Sequence, residues 1–294
     1  MVHIPPQPPR KGRQGDTRQG NKSVGDRMTN VRIKHYLKDA QINVASYACY
    51  GKEDLPRSKS RARHSDPDRS AEQSRARARR AVTDIALCNP FTHMFTLTFD
   101  KTYVDRYDPK EIYAKLSNYL RERVRNEGFL YVAVPEYHKD KAIHVHGLGC
   151  FDRVQLVRAM HYKWQKPLKD KQGRPVYNIP SWIWGWSEVT PITSEAHGAA
   201  AYCTEYINKD NEKIFGKWYL SARACVKKPH IVDCPPVEFN DAVDEGKLAV
   251  GDQWIINPSK YLFILQERVP YPDGAEFNVE EGKAYGSGDA APGD

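Results

Sequence analysis

The stretch from Leu130 to Phe151 reads LYVAVPEYHKDKAIHVHGLGCF, and our prediction of the fold starts from it. Two runs rich in β-forming residues, 130–137 and 143–151, flank a short polar segment at 138–142. Strand-forming runs separated by a short polar segment are typical of a β-hairpin. The sequence therefore predicts two antiparallel strands that are neighbours in a sheet.

The register of this hairpin decides which side chains share a face. If the turn is centred on Asp140, Glu136 lies opposite His144, and Val134 lies opposite His146. Side chains alternate along a strand, so both histidines then face the same side of the sheet as Glu136. A bulge in the turn would shift this register by one residue.

Further elements are predicted on both sides of the hairpin, in the order β-α-β-β-α-β-α. The predicted helices are 68–88, 109–126, 154–162 and 194–209, and the predicted strands outside the hairpin are 94–99, 182–191, 218–220, 253–256 and 261–266. We expect an irregular polar loop at 163–180. This order indicates an α+β fold, in which a central antiparallel sheet carries its helices on one side.

Charge divides the chain unevenly. Residues 1–90 carry 19 Lys+Arg against 9 Asp+Glu, whereas residues 273–294 carry six acidic side chains and one lysine. The predicted segments are a disordered basic arm (1–67), a folded domain (68–234), a C-terminal extension of unknown role (235–271) and an acidic disordered tail (272–294).

The basic end favours a polyanionic partner, most simply a nucleic acid. Eight arginines lie between residues 57 and 80, and they form either a solvated helix face or a surface that contacts phosphates. No stretch approaches the roughly 20 apolar residues that a membrane helix needs. The six cysteines show no CxxC and no framework spacing, and we expect a soluble protein in a reducing cytoplasm.

The triplet His144-Val145-His146 and Glu136 are candidate metal ligands. Two imidazoles and one carboxylate leave coordination positions open, which a catalytic metal needs and a closed structural site lacks. This donor set suits Mn²⁺ or Mg²⁺. A pair of core or surface histidines is the more common origin of an isolated HxH, and the spacing alone leaves both interpretations open.

The segment 201–209 is the second candidate for chemistry. Residues three and four positions apart lie on the same face of a helix, so Tyr202, Tyr206 and Lys209 share one stripe. Tyrosine has a free pKa of about 10 and attacks a phosphodiester only with help from nearby positive charge. Without a metal site in the same chain, two such tyrosines are more simply core or interface aromatics.

Taken together and in this order, these motifs resemble those of the HUH endonucleases. The motifs are FTLTF at 95–99, Glu136 with HVHGL at 144–148, and YCTEYINK at 202–209. More narrowly, the chain resembles the rolling-circle replication initiators of small phages and plasmids, including the filamentous-phage gene II type. The resemblance covers roughly residues 75–230.

The resemblance implies a ferredoxin-like nuclease domain that nicks and rejoins single-stranded DNA at a replication origin. Mg²⁺ or Mn²⁺ would be the cofactor, and a 5′-phosphotyrosine would be the intermediate. Carried over onto this sequence, the resemblance implies the metal ligands His144, His146 and Glu136 and the catalytic residues Tyr206, Tyr202 and Lys209. Tyr206 would be the first nucleophile, because it occupies the tyrosine position of the YxxK pattern.

Two other functions compete with this one. A transposase of the same superfamily has a similar motif order, and an inactive nucleic-acid-binding module would keep the fold without the reaction. No GxxxxGK[ST] motif is present, so an initiator of this kind would rely on a host helicase and a host polymerase.

Alternation also places Trp182, Trp184 and Trp186 on one face of a strand. They are either residues on which bases stack or part of the core.

Overall fold

A computed structural model describes residues 27–48, 67–193, 196–209, 212–233, 237–238, 254–257, 262–271 and 275–285. The helices are α1 (Pro67–Cys88), α2 (Pro109–Glu127) and α3 (Ala196–Lys209). The strands are β1 (Arg27–His35), β2 (Asp39–Ala48), β3 (His93–Phe99), β4 (Tyr131–Tyr137), β5 (Ile143–Gly149), β6 (Val157–Arg158), β7 (Tyr177–Asn178), β8 (Gly185–Pro191), β9 (Leu220–Ser221), β10 (His230–Asp233), β11 (Val237–Glu238), β12 (Trp254–Asn257), β13 (Leu262–Pro270), β14 (Glu276–Asn278) and β15 (Lys283–Tyr285).

A seven-stranded sheet in the order β6-β7-β8-β3-β5-β4-β9 forms the centre of the molecule, and its strand pairs are antiparallel. Strands β4 and β5 form the predicted hairpin. Glu136 pairs with His144, and Val134 pairs with His146, so the predicted register is confirmed. The α+β class with a central antiparallel sheet is confirmed as well.

One face of this sheet is apolar and packs toward α2. Phe95, Leu97 and Phe99 alternate with the threonines of β3 and are buried. The ring of Phe99 lies 5.1 Å from Trp182, and Trp182 lies 5.0 Å from Tyr119 of α2. Buried aromatic contacts of this kind therefore join α2 to the face opposite the histidines.

The other face carries the histidines and packs against α3. The ring of Tyr206 stacks on His146, while Cys203 and Ile207 of the same helix are buried. Helix α1 packs along α3, and Trp218 Nε1 donates a hydrogen bond to Ser74 Oγ of α1 at 3.0 Å. Helices thus contact both faces of the central sheet, which refines the expectation that they lie on one side.

Helix α2 begins and ends where its sequence predicts. The Asp108 carboxylate accepts the Lys110 backbone N–H at 2.8 Å, and Pro109 occupies the first turn. Both residues are favoured there, because the first N–H groups of a helix have no partner within it. Gly128 ends the helix with φ 66°, a left-handed conformation that glycine adopts without strain.

A second sheet corrects the predicted disorder of the N-terminal arm and contains the strands predicted at 253–256 and 261–266. Its strands run in the order β10-β1-β2-β13-β12, and β11 also pairs with β1. Strands β1 and β2 lie within 1–67, where we predicted disorder, and they pair with strands more than 180 residues away in the chain. The local signal there is weak because the partners that stabilise these strands are so distant. Residues 1–26 and 49–66 lie outside the described residues.

The predicted tail is also ordered in part. Strands β14 and β15 form a small hairpin, and Phe277 on β14 is buried against Tyr36 and Leu87. The Phe277 N–H donates to Leu37 O at 2.9 Å. Phe277 and Val279, which are both buried in this cluster, therefore hold part of an otherwise acidic segment on the folded protein.

Three local predictions need correction. The predicted helix 154–162 is instead an extended segment containing β6, because the Ala159 N–H bonds Val176 O at 2.9 Å. The predicted loop 163–180 includes β7. The strand predicted from Trp182 begins only at Gly185. Residues 194 and 195, with which the predicted helix 194–209 begins, lie outside the described residues.

Candidate active site

Two threonines of β3 contact the paired histidines. Thr96 Oγ1 lies 3.1 Å from His146 Nδ1, and Thr98 Oγ1 lies 3.4 Å from His144 Nδ1. The contacts follow from the β3–β5 register, in which each threonine is directly opposite its histidine. A partner at Nδ1 orients the ring and leaves Nε2 to bind a metal or a proton. The FTLTF motif contains these threonines, but the sequence assigned them no role.

The third predicted ligand contacts one of the histidines. Glu136 Oε2 lies 2.8 Å from His146 Nε2, and both side chains are mostly buried. This is a hydrogen-bond distance, and it joins a carboxylate to the ring nitrogen that the threonine leaves available. Glu136 and His146 are not directly opposite each other, so the contact runs diagonally between neighbouring strands.

His144 lies next to a histidine that the sequence analysis did not select. The ring of His138 stacks on His144 at 4.8 Å, and Asp140 Oδ1 lies 3.2 Å from His138 Nδ1. Arg106 pairs with Asp140 at 2.6 Å. Burial, followed by the charges of His138 and His146, lowers the pKa of His144. His144 therefore stays neutral at neutral pH, which is the form that binds metals.

Helix α3 brings both predicted tyrosines to this face. The ring of Tyr206 is parallel to His146, with a centroid distance of 3.8 Å and an interplanar angle of 1°. Tyr202 meets Tyr206 edge-on at 5.0 Å and His146 at 6.4 Å. Tyr206 is only 7% exposed. The tyrosine helix and the histidine strand, which are about 60 residues apart in sequence, therefore meet at His146.

Burial keeps both phenols protonated at neutral pH. It raises the pKa of Tyr206 far above its ordinary value, and a hydrogen bond to Tyr202 and the charge of Glu136 raise that pKa further. Burial also raises the pKa of Tyr202, but there the hydrogen bond to Tyr206 has the opposite effect. Neither tyrosine becomes a phenolate here without added positive charge.

Lys209 is the last residue of α3, and its side chain lies outside the described residues. Its predicted place on the stripe with Tyr202 and Tyr206 agrees with the helix, since Tyr206 and Lys209 are three residues apart. The role of its ammonium group stays a prediction.

The donor types at this site fit a divalent cation. Imidazole and carboxylate ligands suit Mn²⁺ and Mg²⁺, and the Thr–His contacts are of the kind that orients metal-bound histidines. Among the residues that the structure describes, however, no group of three or more His, Cys, Asp or Glu is already gathered around a cation position. Glu136 and His146 are in contact, and His144 is the donor that a cation would still have to recruit.

One tryptophan of the three predicted to share a face is exposed beside the site. Trp186 is 52% exposed and pairs with Thr98, so it lies on the face of the histidines. Trp182 is buried in the core, and Trp184 packs against it. Both residues precede the strand, so alternation does not relate them to Trp186.

A family profile that describes replication-associated proteins of the ORF2 and phage gene II type matches residues 92–211. The match covers less than half of the chain, and over this segment the chain is similar to that family. The predicted resemblance to rolling-circle initiators of the phage gene II type is thereby confirmed for this segment, which contains all six predicted site residues. No curated protein and no solved structure shows a significant match to the chain. Over the described residues, none of the helices is both long enough and apolar enough to cross a membrane.

Proposed function

We propose that this protein initiates rolling-circle replication by nicking and rejoining single-stranded origin DNA through a 5′-phosphotyrosine intermediate. The stacking of Tyr206 on His146, which itself contacts Glu136, carries the proposal. It brings a nucleophile next to groups that can hold a phosphate-binding cation. A Mg²⁺ or Mn²⁺ ion held by His144, His146 and Glu136 would neutralise charge on the scissile phosphate.

The reaction needs one bond formed and one broken. The Tyr206 oxygen bonds to phosphorus, the bond from phosphorus to the 3′ oxygen breaks, and that oxygen takes up a proton to leave a 3′-OH. The Tyr206 proton is lost to solvent, because Tyr202, to which the Tyr206 hydroxyl is hydrogen-bonded, is a neutral phenol and cannot take it up. The phosphotyrosine keeps the phosphodiester energy, so rejoining needs no external energy source.

Tyr202 is positioned to act as a second nucleophile. Its ring lies within 5.0 Å of Tyr206 and 6.4 Å of His146, so it faces the same site. Two nucleophiles would allow the protein to cut the regenerated origin while the first strand is still attached. The free 3′-OH would then serve a host polymerase in the bacterial cytoplasm, and a host helicase would unwind the duplex.

The test is adduct formation on a 3′-labelled single-stranded oligonucleotide that spans the origin, in the presence of Mn²⁺. We expect a labelled protein band that survives denaturation and disappears when EDTA is added. The Tyr202→Phe/Tyr206→Phe double variant should reduce the intensity of this band at least about 100-fold, since it keeps neither of the proposed nucleophiles. Tyr103→Phe, which alters an exposed tyrosine outside the site, is the matched control.

The adduct assay also tests which residues are the nucleophiles and whether the protein is only a binding module. A Tyr202→Phe/Tyr206→Phe double variant that still forms the adduct contradicts the assignment of the nucleophiles. A wild-type protein that binds the origin strand without any adduct, with or without Mn²⁺, is an inactive binding module and contradicts the proposed reaction.

A further inference from the structure

A basic loop with exposed aromatic rings joins the edge strand β6 of the central sheet to its neighbour β7. We call residues 159–176, between β6 and β7, the aromatic loop. Its backbone is paired: Leu168 N–H bonds Ala159 O at 2.8 Å, and isolated bridges join Met160 to Pro167 and Lys169 to Pro175. The loop is therefore a folded projection held by its own hydrogen bonds.

The tip of the loop is built around His161. Its Nδ1 accepts the backbone N–H groups of Lys163 and Trp164 at 3.2 and 3.3 Å. The backbone N–H of His161 donates to Lys166 O at 2.8 Å, and Gln165 adopts a left-handed conformation with φ 46°. The tight turn thus fixes the backbone from which the neighbouring aromatic side chains project.

Two large rings stack on His161 and remain in solvent. Trp164 lies 4.1 Å from the imidazole at 19°, and Tyr162 lies 5.0 Å away at 21°. Even so, Tyr162 is 85% exposed and Trp164 is 62% exposed. Rings that are oriented in advance lose little conformational freedom when a planar ligand stacks on them.

The charge around these rings is almost entirely positive. The same loop carries four exposed lysines, at positions 163, 166, 169 and 171. The ammonium of Lys163 lies 6.0 Å from the centroid of the Trp164 ring. Asp170 is the only acidic residue of the loop, and Arg174 pairs with it at 2.6 Å. Exposed rings alternating with unopposed lysines are the combination that single-stranded nucleic acid binds, through its bases and its phosphates respectively.

We propose that the aromatic loop is a second contact for single-stranded DNA, which holds origin sequence lying outside the nicked phosphate. Bases stack on Tyr162 and Trp164, and the lysines bind the adjoining phosphates. The position of the loop supports this, because β7 pairs with β8, and β8 carries the exposed Trp186 on the face of the site. The inference rests on the proposed function for its choice of ligand.

Binding of the full chain to a fluorescein-labelled 20-nucleotide oligothymidylate, followed by anisotropy, tests the stacking. Tyr162→Ala/Trp164→Ala should weaken Kd at least about tenfold, given what one base–aromatic stack contributes. Tyr103→Ala removes a ring of similar exposure, 61%, outside the loop and should change Kd less than about twofold. An unchanged Kd for the double variant, with an unaltered circular dichroism spectrum, overturns the proposal.

A salt titration tests the phosphate contacts separately. Lys163→Gln/Lys166→Gln should flatten the plot of log Kd against log salt concentration by about 0.7 for each lysine that contacts a phosphate. An unchanged slope overturns the role of the lysines. Equal weakening of a duplex of the same length overturns the preference for single strands.

The loop and the nicking site can fail independently. On a short oligonucleotide that spans only the nick position, loop variants at saturating DNA should form the adduct as the wild type does. Tyr202→Phe/Tyr206→Phe should form no adduct but bind oligothymidylate with the Kd of the wild type. If the wild type forms no adduct, the proposed function fails, and the anisotropy comparison still decides whether the loop binds DNA.

Discussion

At the residue scale, the site depends on side chains that orient the predicted ligands. The hydroxyls of Thr96 and Thr98 each meet a histidine Nδ1, and Glu136 meets the Nε2 of His146. The candidate ligands could be predicted from the sequence, because the two histidines of His-x-His on a strand point to the same face of the sheet. The threonines were not selected, because their role depends on the register between β3 and β5, which lie more than 40 residues apart.

Removing the threonine hydroxyl should weaken metal binding without unfolding the protein. We expect Thr96→Val to lower Mn²⁺ affinity about 10- to 100-fold, because the hydroxyl fixes the orientation of the His146 ring. Isothermal titration with Mn²⁺ measures the affinity. Thr102→Val, in an exposed turn beyond the strand, is the control, and an unchanged affinity in Thr96→Val would contradict the role we assign.

The rate of nicking should rise with pH. Burial raises the pKa of both Tyr202 and Tyr206, so the reactive phenolate is a minor species at neutral pH and becomes more abundant as pH increases. Single-turnover adduct formation with saturating Mg²⁺ should therefore accelerate about tenfold per pH unit between about pH 7 and pH 9. Anisotropy at each pH controls for DNA binding. A rate that is flat over this interval would show that loss of the phenol proton does not limit the reaction.

At the scale of single elements, strands β3, β4 and β5 pack closely around a glycine next to His146. Gly147 follows His146 on β5, opposite Phe95 on β3. A Cβ at Gly147 would lie 2.4 Å from Phe95 Cζ and 2.6 Å from Val132 O. Because the second atom belongs to the backbone, the neighbouring strand would have to move. Gly147 thus leaves room for Phe95 on the apolar face, directly beside His146 in the chain.

We expect Gly147→Ala to destabilise the protein by about 2–3 kcal/mol, the range of overpacked cores. Gly173→Ala is the matched control, since a Cβ there meets nothing within 4 Å and only the positive φ of 81° opposes it. That control should cost about 1 kcal/mol. Urea unfolding of both variants measures the free energy of unfolding. Equal decreases in the two variants would mean that the close contact with Phe95 and Val132 does not destabilise Gly147→Ala.

At the scale of the whole molecule, the second sheet is connected to the tyrosine helix. Asp39, the first residue of β2, accepts a hydrogen bond from His197 Nε2 at 2.6 Å, near the start of α3. Arg268 of β13 lies 3.9 Å from the same carboxylate oxygen. The turn between β1 and β2 also contacts α1, because the Tyr36 hydroxyl donates a hydrogen bond to Asp84 at 2.8 Å. The segments that we predicted to be disordered therefore help to position the proposed nucleophiles.

Asp39→Ala should destabilise the protein and slow adduct formation together. Removing one partner of a largely buried pair leaves the His197 imidazole without its acceptor, and we expect a loss of about 2 kcal/mol. Glu72→Ala is the contrasting control, because its ion pairs with Arg75 and Arg79 are on the surface. Urea unfolding and the adduct assay measure both effects. A destabilised Asp39→Ala variant with an unchanged adduct rate would show that the connection does not position α3.

Local patterns in the sequence predicted the β4–β5 hairpin, the extent of α2 and the shared face of Tyr202 and Tyr206, and they predicted the register of the hairpin once its turn was centred on Asp140. These features arise from contacts between near neighbours, for which alternation, helix periodicity and capping residues are sufficient. The three-dimensional structure was needed to show that Tyr206 stacks on His146, that threonines contact the histidines, and that strands from distant parts of the chain form a second sheet. Those contacts join residues that are distant in the chain, and their stability comes from packing that no local pattern encodes.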